Sequence, residues 1–138
     1  MQEDSMQLEV VTVEGIFVST MADLVVLPAK EGEVGIQKDH APLISLMDPG
    51  VMKIVRDKNT LYFAVSEGFF EVFKNKVTVL AKDAISSADV NVEEIGQEKE
   101  RAMRNYQNSG DESEKKRALY ELKKCEAWIK AAHMKCEV

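Results

Sequence analysis

The 138-residue sequence predicts an antiparallel β-sandwich followed by an antiparallel hairpin of two helices. Up to Lys82, short apolar runs alternate with turn residues every six to twelve positions or so, as in all-β sandwiches. Beyond Ser86, apolar residues recur at helical spacing. The charged fraction also rises there, from about a quarter to about two fifths. We therefore predict a β-sandwich domain at residues 1–87 and a helical hairpin at residues 88–138.

The strands of the first part are rich in Val, Ile, Leu and Phe. We expect them at residues 6–12, 16–20, 23–29, 34–36, 43–47, 51–56, 60–65, 69–73 and 76–81. Asp57-Lys58-Asn59 and Lys74-Asn75 should each close a hairpin, and Pro49-Gly50 should turn with a positive φ at the glycine. Aromatic residues occur on both faces of strand 69–73, so we expect one face in the core and the other covered by a neighbouring element.

The second part begins with a helix N-cap signal, because Asn91 is followed three residues later by Glu94. We expect the first helix over residues 91–107, ended by Gly110, and the second from Asp111 to about His133. The apolar stripe of the second helix consists of Ala118, Leu122, Cys125, Ile129 and Ala132. Small side chains yield little hydrophobic free energy when buried, so the hairpin should be weakly held and able to move.

Composition and motifs argue against several classes of function. The net charge is −6 and the pI is near 5.0, without a basic cluster. These values argue against nucleic-acid binding and against direct contact with an anionic membrane. Cys125 and Cys136 lack partners at metal-ligand spacing, and no phosphate loop, nucleophile elbow or zinc motif is present. His40 lies near acidic residues but no nucleophile accompanies it. We therefore predict a binding or structural module with no catalytic residue, cofactor or metal.

The most specific pattern spans residues 31–43. It reads Glu31-Gly32-Glu33-Val34-Gly35-Ile36 and then Asp39-His40-Ala41-Pro42-Leu43, which resembles the signature EGE-[LV]-GI-x-x-x-HAPL of the epsilon subunit family of the bacterial F-type ATP synthase, the counterpart of the mitochondrial delta subunit. Segments 8–12, 49–54, 66–72 and 77–81 agree with further family segments in the same order, so the resemblance covers essentially the whole chain. Two departures stand out: Lys38-Asp39 replaces Pro-Gly, and Glu67 replaces a common glycine.

The resemblance implies a non-catalytic central-stalk subunit that couples ion-driven rotation of the c-ring to ATP synthesis through the gamma subunit. Such a subunit lies at the cytoplasmic face of the cell inner membrane, or on the matrix side of an organelle membrane, and meets the membrane only through the complex. The absence of a secretory signal in the N-terminal sequence fits this compartment. Carried over by motif, the c-ring contact falls on Glu31, Gly32 and Glu33. The gamma-subunit contact falls on Thr12, His40 and Ser45.

The resemblance further implies that the hairpin inhibits ATP hydrolysis when it extends toward the alpha/beta catalytic ring. Five basic residues of its second helix would then meet an acidic loop of the beta subunits; they are Lys115, Lys116, Arg117, Lys123 and Lys124. The residues alone leave a second interpretation open, in which these cations form a solvated face paired with acids one turn away.

Nucleotide binding by the hairpin is expected to be weak or absent. Family members that bind ATP there carry D-x-x-R-A, whereas this chain reads Asn91-Val92-Glu93-Glu94-Ile95, and a carboxylate repels a triphosphate. Trp128 also stands where an arginine is expected. The alternative function is a free-standing nucleotide-sensing or protein-interaction module.

Overall fold

The computed structural model describes residues 5–134, in which ten strands precede two α-helices and confirm the predicted fold class. The strands are β1 (Met6–Thr12), β2 (Gly15–Ala22), β3 (Leu24–Ala29), β4 (Gly32–Ile36), β5 (Leu43–Met47), β6 (Gly50–Arg56), β7 (Asn59–Val65), β8 (Gly68–Phe73), β9 (Lys76–Ala81) and β10 (Ala84–Ser86). A short 3-10 turn, Ser87–Asp89, leads to the helices α1 (Val92–Asn108) and α2 (Glu112–Ala132).

The strands form one hydrogen-bonded path that folds into two layers. Its order is β10-β7-β6-β3-β5-β8-β9-β1-β2, with β4 paired to β3 outside this path. The first layer consists of β10, β7, β6, β3 and β4, and the second of β5, β8, β9, β1 and β2. The layers are joined where Ala29 of β3 pairs with Met47 of β5. Near the two ends of the path, the Phe17 ring of β2 meets the Phe63 ring of β7 edge-on, with their centroids 5.7 Å apart. This contact connects the two layers across the core.

One pairing departs from the antiparallel expectation, because β1 and β9 run parallel. The two strands are far apart in sequence, so no tight turn has to join them and either direction is possible. β10 was missed altogether, since its three residues are too few to show a period. It pairs with β7, opposite Val65 to Phe63.

Alternation along the strands builds the core between the layers. In β8, Phe70 and Val72 point inward, and in β9 Val77 and Val79 do the same. From the other layer come fully buried side chains such as Leu27, Met52 and Ile54. The same alternation sends every second side chain of each layer to the outside, where the candidate contact surfaces lie.

Both predicted hairpin turns are present, and each has positive φ at both residues, as type I′ turns require. The φ angles are 52° and 69° at Asp57 and Lys58, and 47° and 60° at Lys74 and Asn75. The prediction for Gly50 is wrong, because Gly50 is not among the residues with positive φ. Glycine is needed there for space, since a Cβ would lie 2.5 Å from the Cβ of Pro28.

The helices begin with the predicted caps. Asn91 Oδ1 accepts the Glu94 N–H at 3.2 Å, and Asp111 Oδ1 accepts the Ser113 N–H at 3.1 Å. α1 starts one residue later than predicted because a cap residue keeps an extended backbone. Gly110 does not end α1: the C-cap is Ser109 in an extended conformation, with its hydroxyl donating to the Tyr106 carbonyl.

The hairpin packs on the outside of the first layer through α2. Ala127, Trp128 and Ala131 form a buried apolar cluster with Val51 of β6 and Ala64 of β7. α1 lies along α2, and Ala102 is its single buried residue. Neither α1 nor α2, the helices within residues 5–134, combines the length and apolar character needed to cross a bilayer.

Candidate functional site

An exposed band of apolar side chains, called here the apolar row, crosses the outer face of the second layer. Strand register brings its members side by side, since Leu46 lies opposite Phe69, Phe69 opposite Leu80, Leu80 opposite Val11 and Val11 opposite Ile16. Leu46 is 60% exposed, Phe69 44% and Ile16 67%. A contiguous apolar surface of this kind is typical of a protein contact site.

The apolar row corrects the expectation that another element covers the outer face of β8. Within the described residues, the hairpin lies on β6 and β7, on the other layer. Phe69 and Phe73 therefore stay exposed. Ile44, two residues before Leu46 and 71% exposed, extends the same face along β5.

The residues assigned to the c-ring form the turn between β3 and β4. Ala29 pairs with Gly32, which leaves Lys30 and Glu31 as a two-residue turn whose backbone requires Gly32 at φ 135°. Glu31, Gly32 and Glu33 are all exposed, and β4 pairs only with β3 in the described structure. Together these three residues, called here the carboxylate turn, present two acidic side chains at the edge of the sandwich.

A shallow groove connects the carboxylate turn to the apolar row. It has a volume of about 420 Å³ and is lined by Glu31 and Glu33 on one side and by Ile44, Ser45 and Leu46 on the other. Lys30 lies within it, and its backbone N–H donates to the Leu46 carbonyl at 3.0 Å. The c-ring residues and one of the gamma residues, Ser45, thus belong to one continuous surface.

Thr12 and Ser45, two of the residues assigned to gamma, make local hydrogen bonds on strands that carry the apolar row. Thr12 ends β1, where its Oγ1 accepts the Glu14 N–H at 3.2 Å. Ser45 alternates with Ile44 and Leu46, so its side chain points away from the apolar row and its hydroxyl donates to the Leu46 carbonyl at 3.0 Å. Both residues are direct chain neighbours of members of the apolar row, Thr12 of Val11 and Ser45 of Leu46.

His40 lies in a loop that is anchored to the β8–β9 turn. Asp39 has φ 67°, a left-handed conformation that aspartate tolerates, so it takes the place of the family's glycine. Its N–H donates to Asn75 Oδ1 at 2.7 Å, and Asn75 Nδ2 donates back to Asp39 Oδ1 at 3.3 Å. His40 Nδ1 lies 2.7 Å from the Ala41 carbonyl, which can only accept. The neutral ring therefore presents Nε2 as an acceptor.

The five basic residues of α2 that were assigned to the catalytic ring do not form one face. Lys115, Lys116, Arg117 and Lys123 are exposed. Lys124 turns toward the sandwich, where its Nζ lies 3.0 Å from Asp83 Oδ2 and 5.2 Å from the centre of the Trp128 ring. Burial lowers the pKa of Lys124, but the hydrogen bond and charge of Asp83, with Glu121 and Glu98, outweigh it and raise that pKa.

The cysteines give no support to a thiol enzyme. Cys125 is buried in the hairpin, and burial, together with the charges of Glu98 and Glu121, raises the pKa of its thiol. A thiol with a raised pKa is a poor nucleophile at neutral pH. Cys136 lies outside the described residues. Between residues 5 and 134, no three His, Cys, Asp or Glu side chains converge as metal ligands.

Sequence reasoning missed two features of these surfaces. The apolar row can be recognised only from the register of five strands. Phe69 and Phe73 were a partial signal, because they alternate with the core residues of β8 and so predict apolar side chains on its outer face. Trp128 was considered only as a missing arginine, yet it is the largest side chain in the contact between α2 and the sandwich and is 5% exposed. Its spacing from Ala127 and Ala131 marks a second apolar stripe on α2, beside the predicted one.

Comparison with known proteins identifies relatives along most of the chain. Residues 5–87 match the family model described as ATP synthase, Delta/Epsilon chain, beta-sandwich domain. The ATP synthase epsilon chain of Chloroflexus aggregans is 41% identical over 69% of this chain and 67% of its own length. The chloroplastic ATP synthase epsilon chain of Emiliania huxleyi is 32% identical over 92% of this chain and 98% of its own.

Two solved structures share the fold at low sequence identity. A chain in the cryo-EM structure of the Euglena gracilis mitochondrial ATP synthase, OSCP/F1/c-ring, superposes with a TM-score of 0.81 at 18% identity and covers 94% of this chain and 82% of that one. A chain of the Tetrahymena thermophila mitochondrial ATP synthase, central stalk/c-ring, gives 0.69 at 15% identity, with coverage of 95% and 98%. The likeness extends over both the sandwich and the hairpin.

Proposed function

Since this chain belongs to the delta/epsilon chain family of ATP synthase, we propose that its sandwich couples the c-ring to the gamma subunit in the rotor. The chain is a non-catalytic subunit of a membrane-associated complex, as its epsilon-chain relatives are named. A free-standing nucleotide-sensing or interaction module is not favoured, because the relatives match across both parts of the chain.

The apolar row is the observation that carries the proposal. Its side chains are exposed in the isolated chain, and contact with a partner would remove them from water. The apolar row also lies on the layer opposite the hairpin, so hairpin movement neither covers nor uncovers it. We assign the gamma subunit to this face, because a rotor element has to stay attached while its regulatory part moves.

The carboxylate turn and the polar residues have an orienting role in this proposal. Each exposed ion pair of Glu31 or Glu33 with the c-ring contributes at most about 1 kcal/mol. Such contacts select register and partner more than they add affinity. His40 Nε2, held by the Asp39–Asn75 anchor, accepts a hydrogen bond from gamma, and Thr12 and Ser45 lie at the margin of the same interface.

A capture experiment tests the rotor assignment. Tagged full-length chain is incubated with detergent-solubilised membranes that contain the ATP synthase, and the proposal expects recovery of the alpha, beta and gamma subunits with the c-ring. A variant with Leu46→Asp and Phe69→Asp, which puts charges on the apolar row, should lose them. Met103→Asp is the matched control, since Met103 is similarly exposed at 44% but lies on α1. Recovery of none of these subunits by the unmodified chain would refute the assignment.

We also propose that the hairpin inhibits ATP hydrolysis when it leaves the sandwich and extends along gamma. Support comes from its limited attachment, which involves mainly the C-terminal half of α2. The exposed cations Lys115, Lys116, Arg117 and Lys123 are then available to acidic groups of the catalytic ring.

We propose that the chain, as part of this complex, lies at the cytoplasmic face of the inner membrane, or on the matrix side in an organelle.

Truncation tests the inhibitory role. Complexes reconstituted with a chain that ends at Ser87 should hydrolyse ATP faster than complexes with the full chain. Capture of gamma by the truncated chain is the control, because removal of α2 uncovers Val51 and Ala64. Equal hydrolysis by the two complexes, with equal incorporation of the subunit, would remove the inhibitory role and leave the rotor assignment intact.

A further inference from the structure

We propose that Asp83, Lys124 and Trp128 form a latch that holds the hairpin on the sandwich without any ligand and has to open before the hairpin extends. The inference rests on the proposed movement of the hairpin and names the contact that opposes it. Three features carry it: a carboxylate on an anchored backbone, a cation bound from two sides, and an attachment concentrated in the C-terminal half of α2.

The backbone of Asp83 is held in place by Ser66. The Asp83 N–H donates to Ser66 Oγ at 2.7 Å, and the Asp83 carbonyl accepts the Ser66 N–H at 3.0 Å and the Ser66 hydroxyl at 3.3 Å. Ser66 is 1% exposed, so this double connection is buried beneath the loop between β9 and β10. The backbone that carries the acceptor for Lys124 is therefore tied to Ser66 at the end of β7, which limits the positions open to the Asp83 carboxylate.

The Lys124 ammonium is attracted from two directions. Asp83 Oδ2 accepts its hydrogen bond at 3.0 Å, while the Trp128 ring, one turn further along α2, lies under it at 5.2 Å. An ammonium over an indole face is bound by the ring quadrupole. The raised pKa of Lys124 agrees with this placement, since burial lowers it but Asp83, together with Glu121 and Glu98, more than offsets that effect.

The rest of the docking surface is an apolar cluster centred on Trp128. Trp128 packs with Ala127 and Ala131 of α2 against Val51 and Ala64 of the sandwich. Five half-buried apolar residues surround this cluster, namely Tyr62, Ile85, Val90, Ile95 and Met134, and Trp128 is the largest side chain at its centre. Lys124 adds its ion pair with Asp83. Breaking the ion pair or removing the indole ring should therefore weaken the attachment of the hairpin.

The latch also makes two roles of Lys124 mutually exclusive. While its ammonium is paired with Asp83, it is not available to an acidic partner on the catalytic ring. Extension therefore requires exchange of one carboxylate for another, and added salt should favour release of the pair by screening it. The exposed cations of α2 carry no such restriction.

Release can be followed by a thiol placed under α2. Val51→Cys, with Cys125→Ala and Cys136→Ser, leaves a single cysteine at a position that is 8% exposed and covered by the hairpin. When docking is fast relative to labelling, the labelling rate by a thiol reagent is proportional to the released population, in the same way that proteolysis reports an open form. The full chain is used throughout.

Asp83→Asn in this reporter should increase the labelling rate about threefold, the effect expected of a half-exposed ion pair. Lys124→Met, which keeps the stem over Trp128 but removes the charge, should give a similar factor, and Lys124→Arg should restore slow labelling. The double variant should be no faster than either single variant, because both remove one pair. Added NaCl should speed labelling of the reporter but not of Asp83→Asn.

Asp57→Asn is the matched control. It makes the same charge change in the exposed turn between β6 and β7, at the opposite end of β6 from the reporter position Val51. Labelling of Asp83→Asn no faster than that of Asp57→Asn would overturn the latch. The same variants assayed for ATP hydrolysis in the complex separate the two proposals. Faster labelling with unchanged hydrolysis would retain the latch and contradict inhibition by the extended hairpin.

Discussion

Replacing Leu46 by serine should weaken binding of the chain to gamma about tenfold and leave the folded sandwich intact. Leu46 is 60% exposed and stands at the end of the apolar row nearest the carboxylate turn. Its backbone pairs with Phe69 and accepts the Lys30 N–H, and serine keeps both interactions. The substitution therefore tests the side chain alone.

The magnitude follows from the area that Leu46 still exposes. Full burial of a leucine side chain contributes about 1.5–3 kcal/mol, so burial of the remaining three fifths contributes about 1–2 kcal/mol. Since about 1.4 kcal/mol corresponds to a factor of ten, the dissociation constant should rise about five- to thirtyfold. The free energy of unfolding should change by less than about 0.5 kcal/mol, because the side chain adds little to the core.

The assay is a titration of labelled full-length chain with a gamma-containing catalytic complex that lacks this subunit. Met103→Ser serves as the control, because it removes an apolar side chain of comparable exposure from α1. Urea denaturation of both variants checks that stability is unaffected. If Leu46→Ser binds as tightly as Met103→Ser, the apolar row is not the gamma surface and the argument from exposed area fails.

Gly68→Ala should lower the free energy of unfolding by about 3 kcal/mol or more, because its Cβ would overlap the Leu80 backbone carbonyl. Urea denaturation measures this loss. A loss under about 1 kcal/mol would show that β8 and β9 can move apart at little cost in free energy. Trp128→Ala should make α2 at least about tenfold more sensitive to limited proteolysis while the sandwich stays protected, and equal sensitivity would place the hairpin's main contact elsewhere. In a Cys136→Ser background, Cys125 should react with a disulfide reagent at pH 8 more slowly than free cysteine and speed up as pH rises, because its raised pKa reduces the thiolate fraction.

Local interactions account for what sequence reasoning placed correctly. The caps Asn91 and Asp111 act within three residues, and the turns at 57–58 and 74–75 need only two residues with positive φ. Gly50 shows the limit, because its role depends on Pro28, a residue of another strand. The carboxylate turn was located by its motif, whereas the groove that joins it to Leu46 depends on how β3 and β5 meet.

The sequence by itself determined the family, the order of sandwich and hairpin, and the charged turn at residues 31–33, since these are contiguous patterns of residue type. Only the tertiary structure decided which outer face of the sandwich the hairpin covers. It also decided that the apolar row is left bare and that Lys124 faces Asp83 rather than solvent. The physical reason is that strand register and helix docking bring together residues that are distant in the chain, and the free energy of these contacts has no signature in any one segment.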